Sequence, residues 1–307
     1  MDMQTSLSSK VRAMLLGVVA LLSRGPLSKA DDALPMVPAQ NVVVSTTSFA
    51  SKDLHAVVYS NCTFLFHLSK EFFNEDEMSQ DALRSYYVDD YVAQVCNGGF
   101  SQFVYNSHWD PKKIQYLREG LRAMKATEHL SLFEESAKIL DELGADKLKK
   151  YLEGEYFGEN PERDFLNDPS EKFYALMKHE NLNELNGKWL RSLPNLSVLS
   201  IKQMQAEIDR RVKAMPNREA RVAEALAKEP RYMKLIRALC AKAGQKLSEV
   251  TAGDPTQEYQ GAQHLAWHFL TNRGHYYMLD VNGKALMFDG DTDKKIAEID
   301  APDSASR

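Results

Sequence analysis

The chain has 307 residues, which suffice for one large domain or for two domains of ordinary size. With 44% hydrophobic and 26% charged residues, its composition is that of a soluble globular protein. No segment beyond the first thirty residues is apolar enough to form a membrane-spanning helix.

The first thirty residues have the three parts of a secretory signal peptide. A basic start precedes the apolar run 13–22, and Ser28 and Ala30 supply the small residues before a cleavage point. The sequence therefore predicts a signal peptide over 1–30 and a periplasmic or secreted mature chain without a membrane span. The alternative is a cytoplasmic chain whose first helix packs its apolar face on the rest of the protein.

The chain contains three cysteines, Cys62, Cys96 and Cys240, each within or beside an apolar pattern. Their spacing matches neither a zinc site nor a disulfide framework. The sequence predicts three buried free thiols. An unpaired cysteine is less common in an exported protein, so this count weighs against the signal peptide.

Charge is distributed unevenly along the chain. Residues 31–200 contain 27 acidic and 17 basic residues, a net charge of −10, whereas residues 201–307 contain 15 and 17, a net charge of +2. An acidic surface attracts cationic partners and repels nucleic acid phosphates. We therefore expect no direct nucleic acid binding by the acidic part.

Apolar residues recur at helical spacing from about residue 50 to residue 245. In the segment 79–96 they fall on one face of a helix: Leu83, Tyr87, Val88, Tyr91, Val92 and Val95. Asp110 followed by Pro111 predicts the start of another helix, because aspartate is a good N-cap and proline suits the first helical position. Pro216 and Pro230 predict a break and a bend in the last helical stretch.

The pattern changes to alternation near the C-terminus. Thr251–Pro255 has the composition of a loop. The strands predicted after it are His264–Thr271, Gly274–Val281 and Lys284–Asp289, with a short fourth at 296–299. Asn282-Gly283 predicts a two-residue hairpin turn, since both residues tolerate a positive φ.

The predicted fold class is therefore mainly α (α+β), a multi-helix body with a small C-terminal antiparallel β-meander. The predicted domains are 31–198, acidic and helical, and 199–307, a helical hairpin plus the meander. The boundary is placed near Pro194-Asn195, where the composition favours a turn.

The most distinctive motif interrupts a helical pattern and then restarts it. Asn97, Gly98 and Gly99 can adopt left-handed conformations at little cost and reverse the chain. Phe100 and Phe103 are then expected to anchor the next turn in the core. The amides of Gln102 and Asn106 are expected to satisfy backbone groups that the turn leaves unpaired. A folding role and a ligand or partner site both remain open.

This motif resembles the signature of the bacterial DNA-mimic protein family. The resemblance rests on Asn97, Gly98, Gly99, Phe100, Gln102, Phe103, Tyr105, Asn106 and Ser107, and covers roughly residues 65–190. It implies an acidic helical domain without known catalysis, able to form a homodimer, whose carboxylates imitate DNA phosphates. The partner would then be a basic protein, held at the surface with which that protein binds nucleic acid.

Acidic residues that could form such a surface occur in three groups. They are Glu75, Asp76, Glu77 and Asp81, then Asp89 and Asp90, then Glu134, Glu135, Asp141 and Glu142. Acids at i and i+7 of one helix, such as Glu135 and Glu142, could approximate a row of phosphates. The alternative is an ordinary solvated acidic face. A further alternative is an exported or periplasmic interaction protein, for instance one of the immunity type.

The sequence contains no catalytic motif, and we expect neither an enzyme nor a cofactor nor a metal site. His264 and His268 would face the same side of a strand, as two metal ligands must, but a surface or packing pair is the competing interpretation. A minor alternative is an enzyme using these histidines and Glu258 between the helical body and the sheet. The basic residues after residue 200 alternate with acids, which favours a salt-bridged outer face over a nucleic acid patch.

Overall fold

The computed structural model describes residues 37–301 except 155, 157 and 168. The predicted signal peptide and its cleavage point lie outside the described residues. The chain divides into two compact units, with the division between Met215 and Pro216. Within the described residues, no helix has both the length and the apolarity needed to cross a membrane.

In the part that the structure describes, the first unit is helical apart from two short strands. Its elements in chain order are β1 Val42–Ser45, α1 Thr46–Ala50, α2 His55–Lys70, a 3-10 turn Glu75–Glu77, α3 Gln80–Ser107, α4 Pro111–Ala123, α5 Thr127–Leu143, α6 Ala145–Glu153, α7 Pro161–Leu166, α8 Ser170–Leu176, α9 Leu182–Ser192, β2 Leu196–Leu199 and α10 Ile201–Ala214.

The helix α3 lies at the centre of this unit. All six residues predicted to share its apolar face are buried, and Tyr91 makes edge-to-face contacts with Phe103, Phe133 and Phe173. Aromatic pairs prefer this geometry because the positive ring edge meets the negative ring face. The predicted N-cap at Asp110 is confirmed, since its side chain accepts hydrogen bonds from the backbone of the first turn of α4.

The two strands of the first unit form a parallel pair in which Val42 lies opposite Leu196. All four residues of β1 are buried, and α2 packs against this strand. No structure was predicted for Val42–Ser45, and Leu196–Leu199 falls within the stretch predicted to be helical. Parallel strands have no local turn to connect them, and here more than 150 residues separate the partners.

The observed division between the units follows α10 instead of preceding it. Met204 and Ile208 are buried in the core of the first unit, and Arg210 and Arg211 of the same helix donate hydrogen bonds to backbone carbonyls of residues 37 and 38. The predicted division near residue 198 thus separated a helix from the core on which it packs.

The second unit contains two helices and a five-stranded antiparallel sheet. Its elements are α11 Arg218–Lys228, α12 Arg231–Lys242, β3 Leu247–Tyr259, β4 Ala262–Thr271, β5 Gly274–Val281, β6 Lys284–Asp289 and β7 Lys295–Asp300, and the strands are ordered as in the chain. The predicted fold class, helices followed by a C-terminal meander, is confirmed. Asn282 and Gly283 both have positive φ, as the hairpin turn requires.

The prediction of a loop at Thr251–Pro255 is wrong, because these residues belong to β3. This strand lies at the edge of the sheet and its register shifts at three places, two of them around this segment. Bulges at an edge accommodate glycine and proline, which would interrupt a central strand. Gly253 and Pro255 therefore signalled an irregular edge strand.

The helix α12 covers one face of this sheet. Ile236, Leu239 and Cys240 pack with Phe269 and Met278 in a single core cluster. The prediction of three buried thiols is confirmed for Cys240 only. All three cysteines are free, but Cys62 is half-buried and Cys96 is exposed.

Candidate protein-binding surface

The helix α3 is broken at its two adjacent glycines. Gly98 has φ −149° and ψ 21°, and Gly99 has φ 81° and ψ −177°, after which the helix resumes at Phe100. The predicted interruption is present, but neither residue is in the left-handed helical conformation. The conformation of Gly99 is one that essentially only glycine adopts. Phe100 and Phe103 are buried as predicted.

The backbone groups exposed by this break bond to side chains from a distant segment. The amide of Phe100 donates to Ser170 Oγ at 3.1 Å, and the amide of Ser101 donates to Asn167 Oδ1 at 3.1 Å. On the other side, the Tyr156 hydroxyl donates to the Gly98 carbonyl at 3.1 Å. These groups cap the second half of α3, as orphan amides at a helix start require. No local sequence signal identified these partners.

The amides of Gln102 and Asn106 do not have the predicted backbone partners. Both donate to Oε1 of Gln94, at 2.8 and 2.7 Å, and Gln102 accepts from Asn97 at 2.9 Å. Tyr105 donates its hydroxyl proton to the carbonyl of Gly154 at 2.8 Å. The motif thus ties α3 to its neighbours, which favours a folding role over a ligand site.

Most of the predicted acidic surface is engaged within the chain. Asp81 forms an ion pair with Arg84, which also pairs with Glu119 of the next helix. Glu134 forms a bidentate ion pair with Arg118, with distances of 2.9 and 3.0 Å. The remaining engaged acids are Glu75, bonded to the Tyr87 hydroxyl, Glu77, bonded to the backbone of Asn74, and Asp90, bonded to Gln94. These carboxylates are neutralised or used structurally, so they do not form a free phosphate-like array.

Asp89 lies between a histidine and a thiol. Its carboxylate is 2.6 Å from His55 Nε2 and accepts from Cys62 Sγ at 3.7 Å. The hydrogen bond from Asp89 raises the pKa of His55, although burial opposes this. Burial, with Asp89 next in importance, raises the pKa of Cys62 well above its usual value, so this thiol is not an activated nucleophile.

The exposed acids that remain are concentrated on α5. Asp141 and Glu142 are exposed and make no ion pair among the described residues, and Glu135 is 59% exposed with Lys172 at 3.9 Å. Glu128, which was not among the predicted acids, is 58% exposed on the same helix. Glu128 lies seven residues before Glu135, and this spacing could have identified it from the sequence as an acid on the same helix face. Asp76 is also exposed without an ion pair in the described part of the chain, but lies on the 3-10 turn.

An open groove of about 430 Å³ runs beside this acidic face, between α5 and α8. Glu128 and Glu135 line it together with Leu132, Lys172 and Leu176. The apolar floor and the charged rim could accept part of a partner side chain. The bonding of Glu128 to His179 at 3.1 Å leaves its carboxylate more than half exposed.

The histidines of the second unit are arranged differently from the predicted pair, whereas the basic residues after residue 200 follow the prediction in part. His264 contacts the ring of Tyr259, whereas His268 bonds to His275 of the next strand at 3.0 Å. The two histidines therefore have different partners, and no hydrogen bond or ion pair among the described residues joins either of them to Glu258. The predicted salt-bridged interpretation of the basic helices holds for several residues, whose pairs are Arg210–Glu207, Lys228–Glu224, Arg231–Asp280 and Arg237–Glu229.

The first unit is thus a helical domain with a glycine break in its central helix and exposed acids on α5. Residues 76–193 match the family described as DMP19-like protein, a match that supports the DNA-mimic family for this segment. The matched segment includes the break, α5 and the groove, and it excludes the whole second unit. No curated protein and no solved structure matches the chain.

Proposed function

We propose that the first unit is a non-enzymatic acidic protein-binding module that occupies the basic, nucleic-acid-binding surface of a partner protein. The observation that carries this proposal is the exposed row Glu128, Glu135 and Glu142 on α5, joined by Asp141. The match of residues 76–193 to the DMP19-like family supports the same class of function.

The geometry of α5 suits an imitation of regularly spaced phosphates. Seven residues advance a helix by about 10.5 Å and rotate it almost two full turns, so the three glutamates lie near one line over about 21 Å. One DNA strand carries a charge about every 3.4 Å along the axis. The row therefore corresponds to about every third phosphate of a strand.

The position of these acids argues against a purely structural role. Asp141 and Glu142 lie in the last turn of α5, which contains no basic residue. Negative charge at a helix C-terminus is unfavourable, because the last carbonyl groups already carry partial negative charge. A surface retained for stability would place lysine or arginine there.

The first experiment compares two variants that remove equal charge. One carries Glu135→Gln, Asp141→Asn and Glu142→Gln, and the matched control carries Glu159→Gln, Glu219→Gln and Glu258→Gln, all exposed elsewhere. Partners are captured from extracts at low and high salt, identified, purified and tested for competition with their own nucleic acid. We expect wild type and control to bind at low salt, and the α5 variant to lose binding.

The proposal also requires that binding weakens steeply with salt and that nucleic acid competes for the partner. A complex that survives high salt, or that nucleic acid does not displace, would overturn it. Equal binding by the α5 variant would show that another surface is used.

We further propose that the mature protein is exported, with the partner in the same compartment, on the basis of the signal-like pattern over 1–30. Mass spectrometry of the native N-terminus tests this directly. A mature chain beginning at Asp31 would exclude cytoplasmic transcription factors as partners. An intact Met1 in the cytoplasm would contradict export.

A further inference from the structure

We propose that His129 controls a pH-sensitive latch, in which its neutral ring holds the segment 177–181 against the start of α5 and its protonation releases that segment. His129 is the third residue of α5 and is fully buried. The segment 177–181 connects α8 to α9. The latch lies within the first unit, and it stands whether or not the groove beside it binds a basic partner.

The latch consists of three hydrogen bonds between Glu180 and the start of α5. The carboxylate of Glu180 accepts from the amide of Glu128 at 3.2 Å and from the amide of His129 at 2.7 Å. The Glu180 carbonyl accepts from Nε2 of the His129 ring at 3.0 Å. Ala126, the N-cap residue, has no side-chain oxygen, so the cap of α5 comes from a glutamate more than 50 residues away.

The bond to Glu180 fixes the tautomer of the neutral ring. A carbonyl oxygen can only accept, so Nε2 carries the proton and Nδ1 carries a lone pair. Nδ1 is buried and has no hydrogen-bond partner among the described residues. Protonation therefore places a new N–H group and a full positive charge where no protein acceptor is available. A buried charge without a partner is costly, so the closed latch accepts only the neutral ring.

The charged neighbours of the ring lie on two elements. Glu128 of α5 and Glu180 of the connecting segment attract a positive charge on the ring, whereas His179 of that segment opposes it. From α8, the uncharged ring of Phe173 packs with its centroid 5.0 Å away. The start of α5 is also the positive end of a helix. Burial is the largest influence, and it lowers the pKa of His129 against the attraction of the two carboxylates.

A lowered pKa means that the latch weakens in acid. In the open form the exposed ring takes the ordinary histidine pKa of about 6.5, so it binds a proton more readily than the closed form does. The closed form keeps its full advantage above that pH and loses it as the pH falls toward the pKa of the buried ring. Because one proton is taken up, each pH unit in this range reduces the ratio of closed to open form by up to about 10-fold.

The latch is joined directly to the groove between α5 and α8. The Glu180 amide donates to the carbonyl of Leu176 at 2.8 Å, and Leu176 and Glu128 both line the groove. Phe173 is buried in the core of the first unit and anchors α8 there. Protonation of His129 therefore alters the end of the groove at Glu128 and Leu176, while the rest of α8 stays in place.

Hydrogen exchange of the Glu128 and His129 amides tests the latch, because Glu180 protects both. Rates are measured on the full chain from pH 7.5 to about 5.5, where carboxyl groups stay ionised, and are divided by those of an unstructured peptide. We expect protection in wild type to fall by up to about 10-fold per pH unit below pH 6.5. In His129→Gln, whose side-chain amide can still donate to the Glu180 carbonyl, protection should not depend on pH.

His179→Gln is the matched control, since His179 is exposed on the same segment and pairs with Glu128 at 3.1 Å. This variant should keep the pH dependence of wild type. Nuclear magnetic resonance titration of the His129 ring in wild type adds a measurement that needs no variant, and it should give a pKa below about 6.5.

Four results would overturn the proposal. They are wild-type protection that does not change with pH, a folded His129→Gln protein that keeps the wild-type slope, a His179→Gln protein that loses this slope, and a His129 ring with a pKa of about 6.5 or higher. If His129→Gln does not fold, the wild-type exchange and the ring titration still decide the question.

Discussion

Oδ1 of Asn167 accepts a hydrogen bond from the backbone amide of Ser101 at 3.1 Å, although 66 residues separate the two in the chain. The same carboxamide oxygen lies where a side chain on Gly99 would have to go. The break in α3 and the segment before α8 therefore fit together only if residue 99 has no Cβ.

The first prediction concerns this fit. Gly99→Ala should destabilise the protein more than Gly144→Ala, although both glycines have φ near 80°. The new Cβ overlaps with Asn167 at position 99 and meets nothing within 4 Å at position 144. We expect both variants to suffer backbone strain, and Gly99→Ala to lose about 1–3 kcal/mol more from overpacking. Urea unfolding measures the difference, and equal losses would show that the fit is not tight.

The second prediction removes the caps themselves. Asn167→Ala and Ser170→Ala each leave a buried amide of the resumed helix without its partner, which should cost about 1–3 kcal/mol. The control is Asn183→Ala on α9, whose side chain makes no hydrogen bond among the described residues. It should be neutral or slightly stabilising, because alanine favours helix. A loss in the control as large as in the cap variants would refute the capping role.

The third prediction is a pH dependence at His55. Asp89 raises the pKa of this histidine by its hydrogen bond, against the effect of burial, and Asp53 adds to the increase. A raised pKa in the folded state contributes stability below the unfolded pKa of about 6.5, and this contribution is lost as the pH rises through the folded pKa.

Nuclear magnetic resonance titration of the His55 ring should therefore give a pKa above 6.5 in wild type. In Asp89→Asn the main cause of the increase is removed while burial remains, so the pKa should fall. The stability advantage of wild type over His55→Gln should shrink from pH 6 to pH 8. If the stability advantage of wild type instead grew from pH 6 to pH 8, the pairing of protonated His55 with Asp89 would be contradicted.

The fourth prediction concerns a buried ion pair on α10. Glu207 and Arg211 are 5% and 7% exposed and 2.7 Å apart. Glu207→Ala leaves Arg211 buried without its partner and should cost roughly 3 kcal/mol. The exposed pair of Glu224 with Lys228 provides the control, since Glu224→Ala should change the unfolding midpoint little.

The pair also gives α10 a defined sensitivity to acid. Burial opposes ionisation of Glu207, but the hydrogen bonds from Arg210 and Arg211 outweigh it and lower the pKa. The resulting stability is present above the unfolded pKa of about 4.3 and is lost as the pH falls through the folded pKa. A Glu207→Gln protein should therefore approach wild type in stability as the solution is acidified.

The fifth prediction concerns the effect of the acids at the two ends of α5 on the stability of the protein. Asp141→Asn with Glu142→Gln should raise stability by about 0.3–1 kcal/mol per charge at low salt, because both acids face the negative end of the helix. Glu128→Gln, at the opposite end of the same helix, should lower stability. Thermal unfolding at low and high salt measures both, and the differences should diminish with salt. Stabilisation by Glu128→Gln would contradict the assignment to the helix dipole.

Local chemistry accounts for the parts of the fold that the sequence predicted. The cap at Asp110, the apolar face of α3 and the hairpin at Asn282 each depend on residues within a few positions of one another. The strands β1 and β2 have only four residues each, and their pairing depends on segments far apart in the chain. Such pairing leaves no periodic signal.

The sequence predicted an acidic surface on the helices, but it did not predict which of the carboxylates would be free of ion pairs. Sequence spacing identified Glu135 and Glu142 as outward acids of one helix, and both are exposed. It could not show that Arg84 of α3 would bond Glu119 of α4, or that Arg118 would neutralise Glu134. Which carboxylates stay free depends on tertiary neighbours, and that information is absent from any single helix.

The pairing of β1 with β2 determines when the first unit can be completed during synthesis. Val42–Ser45 is synthesised before Leu196–Leu199, which is its only hydrogen-bonded strand partner among the described residues and follows more than 150 residues later. Until the partner strand is made, the three valines of this strand, which become fully buried in the folded unit, are exposed to solvent or covered by other groups. A nascent chain arrested before residue 196 should therefore recruit chaperones, and one extended past α10 should release them.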